Sequence, residues 1–251
     1  MKLSSSDSIG SSIANSRRSF LGTALGACAF FSVPSVALQS DLLSTPLSKE
    51  QRDSLTPAQI LDALQRGNER FRAGKMIPRD YLAQKRASAA AQYPAVVVLG
   101  CIDSRVPAEI IFDAGIGDGF NARIAGNVVN DDILGSMEFA CAVSGAKVVF
   151  VLGHTSCGAI KGAIDDVELG NLTGLLARIK PAVKETEAKF VGEKSSKNAT
   201  YVDAVARANV SIAMAQIRRR SPILEDLEKK GSIQIAGGMY DLSTGKVESI
   251  G

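Results

Sequence analysis

The sequence predicts an α/β protein with a mainly parallel central sheet covered by helices. Three observations carry this. Two short apolar runs, Ala95–Gly100 and Val148–Gly153, are continuous and valine-rich rather than alternating. Strands buried on both faces of a parallel sheet have that pattern. Helical patterns fill the stretches between and after the runs, which is how a sheet acquires helical cover. Each run also ends in residues that can bind a soft metal: Cys101 after the first, His154 and Cys157 after the second. Open α/β sheets place their sites at the carboxyl ends of strands.

Taken in order, the chain opens with a targeting segment. Arg17 and Arg18 precede an apolar stretch that runs to about Ala37, where Ser35–Ala37 offers a small-x-small cleavage site. This is the pattern of a twin-arginine (Tat) export signal, so residues 1–37 are set apart from the fold. A membrane anchor is the alternative, but Gly22, Gly26 and Pro34 interrupt the stretch and its length is marginal for a span. Export implies a periplasmic or equivalent extracytoplasmic location, with no stable membrane association after cleavage. Residues 38–53 read as a polar linker, and residues 54–251 as the folded domain.

Thr56 and Pro57 start the first helix, as cap and first helical residue. Ile60, Leu64 and Phe71 share one face, and the helix ends near Gly74. After the Ala95–Gly100 strand, residues 106–113 read as a short helix. Gly115, Gly117 and Gly119 mark a turn, and Phe120–Ile124 a second strand. A helix over 132–144 stops at Gly145. The strand carrying His154 comes next, then a helix from Cys157 to Asp165. Further helices fill 172–190 and 200–219, and Ser221 caps a last one over 222–230. Residues 233–236 are a strand, and Ser243–Gly245 turns a terminal hairpin.

The chain has 251 residues and 45% hydrophobic content, enough for one sizeable core. Net charge is only +3, from 29 basic and 26 acidic residues, without a basic stripe interleaved with aromatics. That excludes nucleic acid as an expected partner. Four cysteines are present. Cys28 leaves with the signal, and Cys141 reads as a core residue inside a helical pattern. Cys101 and Cys157 remain with His154, the single histidine of the chain.

Two thiols and one imidazole form a Cys2His set. Three protein ligands leave the fourth position of a tetrahedral zinc open, as catalytic sites do. Three unrelated buried residues would be the bland alternative. Asp103 and Arg105 follow two and four residues after the first ligand, where partners that orient a ligand usually stand.

These residues reach a family. Cys101, Asp103, Ser104 and Arg105, together with Gly153, His154, Cys157 and Gly158, resemble the β-class carbonic anhydrases. Pro107–Glu109, Gly117–Gly119, Arg123–Asn127 and Gly135–Glu138 fit the same pattern, and the resemblance runs from about Ser54 to the C-terminus. It implies the β-carbonic anhydrase fold and reversible hydration of CO2 to bicarbonate and a proton. One zinc ion per chain would be held by Cys101, His154 and Cys157. The resemblance also implies that Arg105 pairs with Asp103, keeping it ionised and off the metal. In one branch of the family that aspartate closes the site as a fourth ligand.

Pocket positions carry over in the same way. Gln92 matches a glutamine that bonds substrate from the partner subunit. Phe120 and Phe139 match aromatic positions, although many members have tyrosine in place of Phe139. Ala125 matches a small apolar wall, and Gly158 flanks the metal turn. The resemblance implies a homodimer or a tetramer of dimers, with the N-terminal helix packed on the neighbouring subunit. An amphipathic helix covering its own domain is the other reading. Gln92 and the absence of tryptophan at Val98 favour the plant-like, open-site branch. Two alternatives to CO2 hydration stay open: hydrolysis of carbonyl sulfide or carbon disulfide on the same fold, and a non-catalytic zinc-stabilised binding protein.

Overall fold

The computed structural model describes residues 45–250. The twin-arginine motif, the cleavage site, Cys28 and the first part of the linker lie outside the described residues. Five strands form one sheet in the order β2-β1-β3-β4-β5. They are β1 (Val96–Gly100), β2 (Gly119–Arg123), β3 (Val148–His154), β4 (Gln234–Tyr240) and β5 (Val247–Ile250). The first four are parallel, and β5 returns antiparallel along β4. Every residue of β1 and of β3 is buried, as their unbroken apolar runs predict.

Alternation along the strands divides the core into two layers. Val97, Leu99, Val149 and Val151 face one layer, together with side chains of α5 (Asp131–Glu138), α6 (Gly158–Ile164), α8 (Lys180–Glu187), α9 (Ala199–Arg220) and α10 (Pro222–Lys229). Val96, Val98, Phe150 and Leu152 face the other, under α2 (Pro57–Arg72) and the short α4 (Ala108–Ile111). Among the described residues no helix is long and apolar enough to cross a membrane.

Several expectations need correction. The linker does not extend to residue 53: α1 (Lys49–Ser54) is a helix, with Ser48 and Gln51 forming a capping box. The buried Arg52 ties it to the core by donating to the carbonyl of Ser144. A six-residue helix dense in charge shows no apolar stripe from which it could be read. The same reason hides α3 (Tyr81–Ser88), which is capped by Asp80. The helix starting at Pro57 packs one face on its own sheet. Ile60 and Leu64 are buried there, and Asn68 bonds Ile111 O, Gly245 O and Val247 N. Finally, the helix predicted over 132–144 is not uniform. Its α-helical part, α5, ends at Glu138 and widens into a π-helical turn over Phe139–Val143, where Ser144 N donates to Phe139 O at 2.9 Å.

The strand order places a topological switch between β1 and β3. From β1 the chain crosses to β2 on one side, and from β3 it crosses to β4 on the other. The loops therefore diverge above the carboxyl ends of these two neighbours and leave a crevice there. Gly100 pairs with Leu152, so Cys101 and His154 emerge side by side.

Candidate metal centre

Cys101 follows the last residue of β1 and is 3% exposed. Its loop is held by Arg123 at the end of β2, whose Nε donates to Cys101 O at 2.9 Å and Nη2 to Asp103 O at 2.6 Å. On the neighbouring strand His154 ends β3 and is 1% exposed. Its Nδ1 lies 2.9 Å from Thr155 O, so Nδ1 carries the proton and Nε2 presents a lone pair. Nε2 is buried and, among the described residues, has no hydrogen-bond partner.

The backbone then turns sharply. Ser156 adopts φ 54°, and its amide donates to Asp203 Oδ1 at 2.9 Å. That turn brings Cys157, the N-cap of α6, back over the crevice. The sulfurs of Cys101 and Cys157 are 4.0 Å apart, and the ligand atoms of Cys101, His154 and Cys157 lie within 4.8 Å of one another.

An unpartnered buried imidazole nitrogen facing two buried sulfurs costs free energy unless something binds there. The donor set is soft and suits zinc. In the metal-free pair, the hydrogen bond from the Cys157 thiol holds Cys101 well below the ordinary thiol range. The amide of Gly126 adds to this. The same bond and burial push Cys157 up, against the amides of Ala159 and Ile160.

Asp103 stands beside this group, its Oδ2 3.9 Å from His154 Nε2. Arg105 grips it with both arms: Nε donates to Oδ1 at 2.9 Å, Nη2 to Oδ2 at 2.7 Å, and the Arg105 amide to Oδ1 at 3.0 Å. The guanidinium and amide of Arg105 hold the carboxyl well below the usual carboxylate range, against the opposing effect of burial. The spacing that placed Asp103 and Arg105 after the first ligand thus corresponds to a real pair.

Ala125 opens the turn Ala125–Asn127, and the next amide, Gly126 N, donates to Cys101 Sγ at 3.3 Å. Gly158 is exposed, and a Cβ there would meet open space, so no close approach explains that glycine. Gly153 is needed for packing instead: a Cβ would stand 2.5 Å from Val210 Cγ2.

Three predicted pocket residues are not brought to this group within one chain. Phe120 pairs with Val97, four residues before Cys101, or roughly 13 Å along the strand. Phe139 packs edge-on against Phe120, with ring centroids 6.3 Å apart, and is 51% exposed. Gln92 is exposed in the loop before β1, at the opposite end of the sheet. Sequence reasoning also missed four supporting residues. Arg123 and Gly126 lay in a quoted motif without a role. Asp203 and Asn209 lay on α9, where a polar residue in a helix gives no signal of what it faces.

A mainly parallel sheet with a buried Cys2His group at its switch point, beside an arginine-clamped aspartate, defines an α/β protein whose donor set could hold a soft metal ion. The family model for carbonic anhydrase matches residues 96–247, and the chain belongs to that family. Carbonic anhydrase 2 of Mycobacterium tuberculosis (strain ATCC 25618 / H37Rv) is 36% identical over 196 residues, covering 76% of this chain and 91% of that protein. Among solved structures, the Coccomyxa β-carbonic anhydrase superposes with a TM-score of 0.60 at 23% identity, over 78% of this chain and 87% of the other. A tetrameric β-carbonic anhydrase of Sordaria macrospora gives 0.58 at 24% identity, over 65% and 83%. These likenesses show the β-carbonic anhydrase fold.

Proposed function

We propose that the chain catalyses reversible hydration of CO2 to bicarbonate at a zinc ion held by Cys101, His154 and Cys157. The observation that carries this is the buried group of three soft donors with one unpartnered nitrogen, flanked by a carboxylate that Arg105 turns into a fixed acceptor. Zinc in such a set supplies hydroxide near neutral pH and acts as a Lewis acid. The chain's own residues do the rest. Asp103 is ionised and immobilised, so it orients a hydroxyl group by accepting its proton in a hydrogen bond. Arg105 keeps that carboxylate from serving as a fourth ligand, which supports the open-site reading. Arg123 fixes the carbonyls on either side of Ile102, so the acceptor and the first ligand hold one geometry.

Metal content and stopped-flow hydration test this together. Wild type should carry one zinc per chain. Cys101→Ser should lose most of it, with the activity. Asp103→Ala should retain zinc and lose kcat/KM. A Cys101→Ser variant with full zinc and activity would refute the ligand set, and loss of zinc from Asp103→Ala would refute the open site.

Assembly and location extend the proposal. Gln92, Phe120 and Phe139 complete the pocket of a second copy, so the active unit is a dimer or a tetramer of dimers; mixing complementary inactive variants tests this. Residues 1–37 direct export by the twin-arginine route, which carries folded proteins and so delivers Cys101 and Cys157 with metal already bound. Replacing Arg17 and Arg18 together by lysine should abolish export in a fractionation assay, and unchanged export would point to another route.

A further inference from the structure

α9 presents an apolar stripe to the sheet: Val205, Ala206, Val210 and Ala213 are all buried. Asn209 sits among them at 3% exposure. A buried amide in such a stripe is unfavourable unless it is hydrogen-bonded. Its Nδ2 donates to Gly126 O at 2.8 Å, a bond that is itself buried. Gly126 has φ 68°, and its own amide donates to Cys101 Sγ at 3.3 Å. The turn is closed by Asn127 N donating to Ile124 O at 2.9 Å. Only glycine fits there, because a Cβ would stand 2.7 Å from Ile179 Cδ1 and 3.2 Å from Ala159 Cβ.

We propose that Asn209 is a positioning residue for the metal centre: by anchoring the Gly126 carbonyl it aims the Gly126 amide at the Cys101 sulfur. The inference rests on the zinc reading of that centre. A centre with two thiolates receives more negative charge from its ligands than one with imidazoles alone. An N–H donor on one sulfur draws part of that charge away and strengthens the Lewis acid. Outer partners of this kind orient ligands and tune metals in general. Here the partner is a backbone amide, which only proline lacks, and proline cannot adopt the φ of 68° that this turn requires. A side chain 83 residues further along the chain sets its direction.

The test replaces zinc by cobalt and reads the sulfur-to-cobalt charge-transfer band. Asn209→Leu removes the donor at nearly constant volume. At full cobalt loading the band should move to lower energy, since the sulfur loses its hydrogen bond. Zinc affinity, read by competition with a chelator, should fall roughly 10–100-fold. Val202→Ala, also on α9 and buried, serves as the control: it should lower the thermal midpoint and leave the band unmoved. Should Asn209→Leu fail to fold, Asn209→Asp carries the same expectation, because a carboxylate cannot donate to Gly126 O. A folded Asn209 variant with an unmoved band and wild-type affinity would overturn the proposal. A wild-type chain that binds no cobalt through thiolates would overturn the metal-centre reading first, and this proposal with it.

Discussion

Single residues in this protein owe their chemistry to the burial around them. Asp118 is fully buried; Gly115 N donates to its Oδ2 at 2.6 Å, and its Oδ1 has no hydrogen-bond partner among the described residues. Burial pushes its carboxyl up from 3.8 to about 7, against the amide of Gly115 and the charge of Arg79. The unfolded chain releases this proton near 3.8, so between the two values the folded protein binds a proton that the unfolded chain has lost. The stability of the neutral acid is therefore complete below about pH 4 and is lost as pH rises through about 7. Asp118→Asn stays neutral throughout and keeps an acceptor for Gly115 N. The variant should match wild type near pH 4 and exceed it near pH 8 by an amount on the order of a few kcal/mol. Urea unfolding at the two pH values checks this, and a difference that does not change with pH would refute it. Asp103 is the opposite case. It is a carboxylate kept charged by its arginine, legible from sequence because both partners lie within one five-residue motif.

At the scale of elements, α9 decides how tightly the site is backed. It lies on β3 and β4 because those strands have glycine where it crosses. A Cβ on Gly237 would stand 2.7 Å from Val210 Cγ1 and 2.9 Å from Met214 Sδ. Valine is stiff at χ1 and cannot swing aside. Gly237→Ala should therefore cost about 1–3 kcal/mol by overpacking. Adding Val210→Ala should return part of that loss, since the two positions touch and their effects are not additive. Denaturant midpoints of wild type, the two single variants and the double variant measure it, and strictly additive losses would show that α9 is not held by this contact. The glycines were visible in the sequence, but not the valine they accommodate. Likewise the apolar period predicted a helix after Asp132, whereas the π-helical turn that leaves Phe139 half exposed follows from packing, which periodicity does not encode.

At the scale of the molecule, the two ends of the sheet hold different parts of the proposed pocket. The metal group sits at the carboxyl end of β1, and Gln92 at the amino end. Phe120 and Phe139 lie along the β2 edge, where no further strand among the described residues covers them. If a second copy supplies these residues, Cys101→Ser and Gln92→Ala break different halves of each site. Each variant alone should be strongly impaired. In a mixed dimer one of the two sites regains an intact metal group and an intact glutamine. Unfolding and refolding the two variants together should therefore recover activity above either alone, and a mixture no better than its components would refute a shared site.

The sequence by itself determined the sheet's buried strands, the candidate metal-binding group, the Asp103–Arg105 pair and the family. All of these are written in short-range patterns: a continuous apolar run, a fixed spacing, a turn residue. Through the resemblance it also led to the expectation that Gln92 serves a partner subunit's pocket and that Phe120 and Phe139 are aromatic pocket positions. Only the tertiary structure decided what comes from a distance. It placed Arg123 on the carbonyls of Cys101 and Asp103, and Asp203 on the Ser156 amide. It set Asn209 behind Gly126, and it laid the helix from Pro57 on its own sheet. The reason is physical. A side chain's local sequence states what it can donate or accept, but its partner is chosen by which strands and helices the topology stacks together. For Asn209 and Gly126 that choice joins residues 83 positions apart.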